Sequence, residues 1–186
     1  MRNETVNNSN HGARLSAVLA ALVLIFTSGV ACLPEEARVE RSIEINAPVG
    51  VVFEQVLDLK KNEAWSPWSA ADDTMVTSYG PITRGVGATS SWTSENSGSG
   101  KMEITEVVQN SRIDVALDFK DEGKADSYWE FDQQGDAVQV TWGFVSKPES
   151  FGEKVFALMM DSFVGPYYEE GLAKLKTVAE SKSGNP

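Results

Sequence analysis

Acid–base chemistry in this sequence would fall to oxygen atoms. Its only histidine, His11, and its only cysteine, Cys32, both precede Leu33. From Leu33 onward there can be no Ser-His-Asp triad, no cysteine nucleophile, no intrachain disulfide, and no zinc or copper site of the common imidazole or thiolate kind. A group that moves a proton near neutral pH would be a carboxylate with a raised pKa or a tyrosine. The candidates are Asp161, Glu169 and Glu106, with Tyr79, Tyr128, Tyr167 and Tyr168. Each has an ordinary alternative as a solvated face or as a core residue with a wet hydroxyl. Asp161 is the foremost catalytic candidate because it lies beside a methionine-bearing apolar stripe, and Arg41 is its expected ion-pair partner. Asp72-Asp73 and residues 118–122 are acidic but lack calcium-loop spacing, so solvated loops are expected there. No metal and no cofactor is expected.

Asp161 and Glu169 belong to the one long segment with helical periodicity, residues 150–182. Ser150 and Glu153 have capping-box spacing, Lys174, Lys176 and Lys182 suit the C-terminal end of the dipole, and Gly184 is the expected stop. In the first half Val155, Phe156, Met159, Met160, Phe163 and Tyr167 form one stripe. In the second half Tyr168, Leu172, Leu175 and Ala179 form another, and the apolar side changes direction next to Gly165-Pro166. Proline has no amide for the helical ladder, so a kink is expected at Pro166.

The rest reads as strands. Residues 38–46 alternate as a strand with Arg41 on its inward face, Pro48 opens a helix that buries Val52, Phe53, Val56, Leu57 and Leu59, and residues 62–68 form a second, irregular helical or loop piece. Six strands separated by turn residues follow, at about residues 74–79, 87–94, 102–108, 112–119, 125–132 and 138–146. A twisted antiparallel sheet with a long helix across its concave side leaves space at one end. The inward set is bulky: Trp92, Ile104, Val115, Leu117, Trp129, Phe131, Val140, Trp142 and Phe144. Of these, Trp92, Ile104, Leu117, Trp129 and Trp142, with Phe156, Met160 and Phe163 of the helix, are the expected ligand-binding residues.

The chain carries 16 basic and 27 acidic side chains, a net charge of −11. That balance argues against nucleic-acid partners and against adhesion to anionic lipid. Residues 1–14 are polar, with Arg2 and Arg14 as the positive charges, residues 17–26 are unbroken apolar, and small residues follow up to Ala31. This is the pattern of a secretory signal. Gly29-Val30-Ala31-Cys32 is similar to the lipobox of bacterial lipoproteins, departing from it at Gly29, so lipidation at Cys32 is expected; cleavage after Ala31 and an uncleaved anchor are the competing outcomes. The organisation expected is a signal peptide or membrane anchor (1–32), a short linker (33–37), one domain (38–180) and a polar tail (181–186). Arg14 ahead of the run and Glu35-Glu36 behind it orient the domain to the periplasmic side of a bacterial membrane, lipid-anchored or signal-anchored.

Several short sequence words now fall into a known order: Trp65-Ser66-Pro67-Trp68 after the first helix, Gly80, Gly85-Val86-Gly87 leading to Trp92, Gly98 to Met102, Val140-Thr141-Trp142, and Gly165-Pro166 before Gly171-Leu172-Ala173-Lys174-Leu175-Lys176. In these words the chain resembles the START-like or SRPBCC superfamily, and within it the bacterial polyketide cyclase/dehydrase-like proteins. The resemblance implies an α+β helix-grip fold: a curved antiparallel sheet wrapped around a long C-terminal helix, with two short helices after the first strand. It also implies a hydrophobic or amphipathic small molecule held between sheet and helix. No catalytic motif of the family's enzymes can be placed on this sequence, and export departs from the many members expected in the cytoplasm. The expectation is an exported, membrane-tethered binder of such a molecule, with a cyclase/dehydrase-like enzyme using the same cavity as the alternative. Its expected partners are the small molecule and, through the N-terminal segment, a membrane.

Overall fold

A computed structural model describes residues 33–184 of the 186-residue chain. His11, Cys32 and the expected signal segment lie outside the described residues, and the unit beginning at Glu35 is treated by itself.

Strand β1 (Ala37–Ile45) leads into helix α1 (Val49–Leu57), a 3-10 turn (Lys61–Ala64) and a one-turn helix α2 (Trp68–Ala71). Strands β2 (Val76–Tyr79), β3 (Thr89–Thr93), β4 (Ser99–Val108), β5 (Arg112–Asp118), β6 (Lys124–Gln134) and β7 (Ala137–Ser146) follow, and helix α3 (Phe151–Ser183) ends the described chain. The strands form one antiparallel sheet in the order β1-β7-β6-β5-β4-β3-β2, so a meander is closed at one edge by the first strand. This is the expected α+β helix-grip arrangement. The elements also fall where alternation and turn residues put them, except that β2 and β3 are shorter than expected and β4 begins at Ser99, inside the expected turn.

Alternation decides the two faces. Val39, Ile45, Ile104, Ile113, Val115, Trp129, Phe131, Val138, Val140, Trp142 and Phe144 point inward and are buried, while their neighbours in sequence, apart from Tyr128 and Gly143, are half-buried or exposed. The inward side is covered by α1, through Val52, Phe53, Val56 and Leu57, and by the second half of α3, through Tyr168, Leu172, Leu175 and Ala179. Hydrogen bonds tie that half of α3 to the end of β1 and to α1: Lys176 donates to the Glu44 carbonyl (2.6 Å), the Asn46 amide to Glu180 (2.8 Å), and Lys182 to Gln55 (2.7 Å).

Helix α3 begins with the expected capping box, the Glu153 amide donating to the Ser150 hydroxyl and the Ser150 amide to Glu153. It ends at Gly184 in the left-handed region, which favours glycine. In one respect it differs from expectation. The first apolar stripe does not turn towards the core: Val155, Phe156, Met159, Phe163 and Tyr167 are exposed, in a helix that runs on through Pro166. The change of direction that suggested a kink marks where the apolar side passes from solvent to core.

Candidate functional site

The concave face grades from closed core to open surface. At the β1–β7–β6 side, beneath α1 and the second half of α3, side chains such as Val39, Ile45, Phe53, Val138, Val140, Leu172 and Leu175 are nearly inaccessible.

Next comes a column of aromatic rings. Trp129 and Trp142 face each other across β6 and β7 and stack at 4.4 Å, Tyr168 of α3 stacks on Trp142 at 3.8 Å, and Trp65 meets both indoles edge-on at 5.4 and 5.9 Å. Trp68 stacks on Tyr167 at 5.0 Å. Offset and edge-on geometries suit the ring quadrupoles. The polar edges are satisfied: the Trp142 indole donates to the Ser127 hydroxyl (3.2 Å), which donates to the Gly143 carbonyl (2.9 Å), and the Trp65 indole donates to the Gln55 carbonyl (3.2 Å). Gly171 makes room for this packing, since a Cβ there would stand 2.9 Å from Trp142 and 3.0 Å from Pro67.

Beyond the column the cover is partial. Tyr79, Trp92, Met102, Leu117 and Phe119 are only half-buried. The pairings Trp92–Gly100, Met102–Leu117 and Ile104–Val115 put the strand residues of this group on the same inward face as the core. Trp92 lies over Gly100 and meets Phe119 edge-on at 5.7 Å. On the helical side Trp68, Met160 and Val164 are half-buried and also touch the core.

The expected ligand residues therefore fall into three environments. Ile104, Trp129 and Trp142 are buried core or column; Trp92 and Leu117 belong to the partly covered end and Met160 is half-buried on the helix; Phe156 and Phe163, at 48% and 54% exposure, stand out in solvent. Met102, Phe119 and Tyr79 were missed. Met102 shares the parity of Ile104 and Phe119 that of Leu117, so alternation alone could have found those two.

The titratable groups are held for structure. Arg41 reaches from β1 to α3, donating to Asp161 (2.8 and 3.1 Å) and Glu169 (2.7 Å), the pairing expected for Asp161. Those hydrogen bonds, first with Asp161 and then with Glu169, push the Arg41 pKa up, and the bond from Arg41 holds Asp161 below the usual carboxylate range. On the convex face the Tyr128 ring lies over Gly143 with the Arg112 guanidinium 4.8 Å from its centre. Its hydroxyl donates to Glu40 and accepts from Arg38 (2.9 Å). Burial first, and Glu40 second, push this phenol up to about 12. Tyr168 is raised by burial, and Tyr79 by burial and by donating to Glu63 (2.8 Å). Each displaced carboxylate thus lies below its ordinary range and each displaced tyrosine above, away from neutrality in both cases.

Asp72, expected to be solvated, is 6% exposed. It accepts from Ser94, from Ser97 (2.5 Å), from the Thr74 hydroxyl (2.6 Å) and amide (3.0 Å), and from Asn96 (3.3 Å), which closes the β3–β4 turn around a buried carboxylate. The hydroxyls of Ser94, Ser97 and Thr74 hold it well below the usual range. Asp73 beside it is exposed, as expected. Among the described residues no group of three or more His, Cys, Asp or Glu is placed to hold a metal ion, and no helix is long and apolar enough to cross a membrane.

A family profile described as polyketide cyclase / dehydrase and lipid transport matches residues 36–180, and the chain belongs to that family. No curated protein matches. Solved structures share the fold at low identity. A protein from Thermobifida fusca is 16% identical with a TM-score of 0.60, covering 78% of this chain and 94% of its own. Protein CV1439 from Chromobacterium violaceum is 15% identical with a TM-score of 0.59, covering 77% and 97%. BH1534 from Bacillus halodurans is 13% identical with a TM-score of 0.57, covering 77% and 96%.

Proposed function

We propose that this protein binds a hydrophobic or amphipathic small molecule at the partly covered end of its concave face, and that it does so without catalysing a reaction on it. The observation that carries this reading is the cluster Tyr79, Trp92, Met102, Leu117 and Phe119: apolar, inward-facing and only half-buried, beside a core that is otherwise closed. Apolar surfaces of this kind recognise ligands mainly by apolar contact. The family's description as cyclase, dehydrase and lipid transport is consistent with it. A cyclase-like reaction would need a proton-transfer group poised near neutral pH, and the Arg41-bound Asp161 and the displaced tyrosines are biased the other way. The N-terminal apolar run and Cys32 support a second element of the proposal, that the domain is exported and held at a membrane by lipid on Cys32.

Native mass spectrometry of protein purified from its own host tests the binding reading. A retained adduct is expected, and Leu117→Lys is expected to lose it while remaining folded. No adduct, together with unchanged tryptophan emission during fatty-acid titration, would sink the proposal. For the tether, a palmitate analogue should label the wild type and not Cys32→Ser; an intact mass beginning at an unmodified Cys32 or Leu33 would rule lipidation out.

A further inference from the structure

The first half of α3 carries its apolar side chains on the wrong side for a core. At about 100° per residue, Phe151, Val155, Met159 and Phe163 fall broadly opposite Tyr168, Leu172, Leu175 and Ala179, the residues that face the sheet. Leu158, Phe151 and Phe163 are 62%, 59% and 54% exposed. The charged residues of this half are turned away from the patch: Glu153 closes the capping box, Asp161 binds Arg41, and Lys154 is half-buried. Past Pro166 the outward side becomes polar, with Glu169, Glu170, Ala173 and Thr177 exposed. An uncharged apolar patch of this size on a chain of net charge −11 marks an interaction surface.

We propose that this half-helix docks on a lipid bilayer by apolar insertion, with no call on anionic headgroups. Its place in the chain argues for a bilayer as the occupant. Ala37, where β1 begins, pairs with Ser146, where β7 ends, and α3 starts five residues after Ser146. The stretch preceding β1 and the apolar half of α3 therefore leave the sheet at the same end. Five residues span at most about 18 Å, so a membrane attachment at Cys32 keeps a bilayer within reach of that end. Interfacial helices bury an apolar face roughly 5–10 Å into the headgroup boundary. Self-association through the same face would bring two strongly acidic bodies together, which their charge opposes. The proposal rests on the membrane tether put forward above and is independent of the small-molecule reading.

The test uses the full chain with Cys32→Ser, the apolar run intact, in phosphatidylcholine vesicles, with a fluorophore attached at Phe156→Cys or at Ala173→Cys. The probe at 156 is expected to be quenched by nitroxide-bearing lipid and shielded from iodide, the probe at 173 the reverse, and Met159→Asp with Phe163→Asp should return the first probe to iodide. Equal iodide access for both probes on vesicle-bound protein overturns docking and leaves the tether standing. Shielding of the first probe in solution without vesicles overturns it in favour of a second copy or the chain's own N-terminal run. Failure to associate with vesicles at all overturns docking, while palmitate labelling judges the Cys32 tether and adduct retention judges the ligand reading, each separately.

Discussion

The guanidinium of Arg41 lies in the space that a side chain on Gly165 would occupy. This is why a buried glycine sits in the middle of α3: the cation from β1 reaches across the helix backbone to Asp161 on one side and Glu169 on the other. Alanine at 165 would gain up to about 1 kcal/mol of helix propensity and would dislodge the ion pairs. The two effects should separate in a double-mutant cycle by urea denaturation. Gly165→Ala should stabilise the Arg41→Ala protein and be less favourable, or unfavourable, in the wild type. Equal changes in both backgrounds would show that the close approach has no energetic weight.

At Gly171 the neighbours cannot retreat. Trp142 is clamped between Trp129 and Tyr168, and Pro67 is fully buried. Gly171→Ala should therefore destabilise by about 1–3 kcal/mol, the usual cost of overpacking, despite the better helix former. Near-UV circular dichroism should change with it; a stability gain would contradict the packing described.

The buried carboxylate of Asp72 should govern part of the acid limb. Its folded-state pKa is lowered by Ser94, Ser97 and Thr74, so its contribution is fully present above the unfolded value of about 4 and is lost as pH falls through the lower folded one. Asp72→Asn should be less stable than wild type at pH 7, with the two urea midpoints converging as the pH is taken from about 4 downwards. An offset constant across the whole range would mean that charge is irrelevant at this site.

Pro166 lies inside helix α3 without facing the core. Replacing it with alanine should raise stability, by up to about 3 kcal/mol. Because Phe156 and Phe163 point outward, adduct retention should be unchanged in Pro166→Ala. A loss of bound ligand would place the first half of α3 in the binding site after all.

The order of elements was legible because strand alternation and helical periodicity are local signals, as were the Ser150–Glu153 capping box and the Arg41–Asp161 pairing. What periodicity cannot supply is the direction of a stripe. Phe156, Met159 and Phe163 share a side with one another, but whether that side meets the sheet depends on the rotation of the whole helix, which Tyr168, Leu172 and Leu175 decide. Asp72 was misread for a related reason: its partners Ser94, Asn96 and Ser97 come from the next hairpin, and an acid in a polar loop looks the same whether water or three hydroxyls surround it.

The pairing of β1 with β7 also bears on how the molecule assembles. Synthesis delivers β1 before the other strands and its neighbour β7, the only one among the described residues, last, so β1 must wait unpaired until the final strand of the sheet has been made. Contacts so distant in sequence close slowly, because the loop entropy is lost before the contact repays it. The meander β2–β7 can form by local hairpins in the meantime, while the core beneath α1 stays open. The rate-limiting event is then the return of the oldest part of the chain to the newest, with α3 landing on β1 at the same step, and a nascent or truncated chain ending before β7 would expose the bare edge of β1 to aggregation.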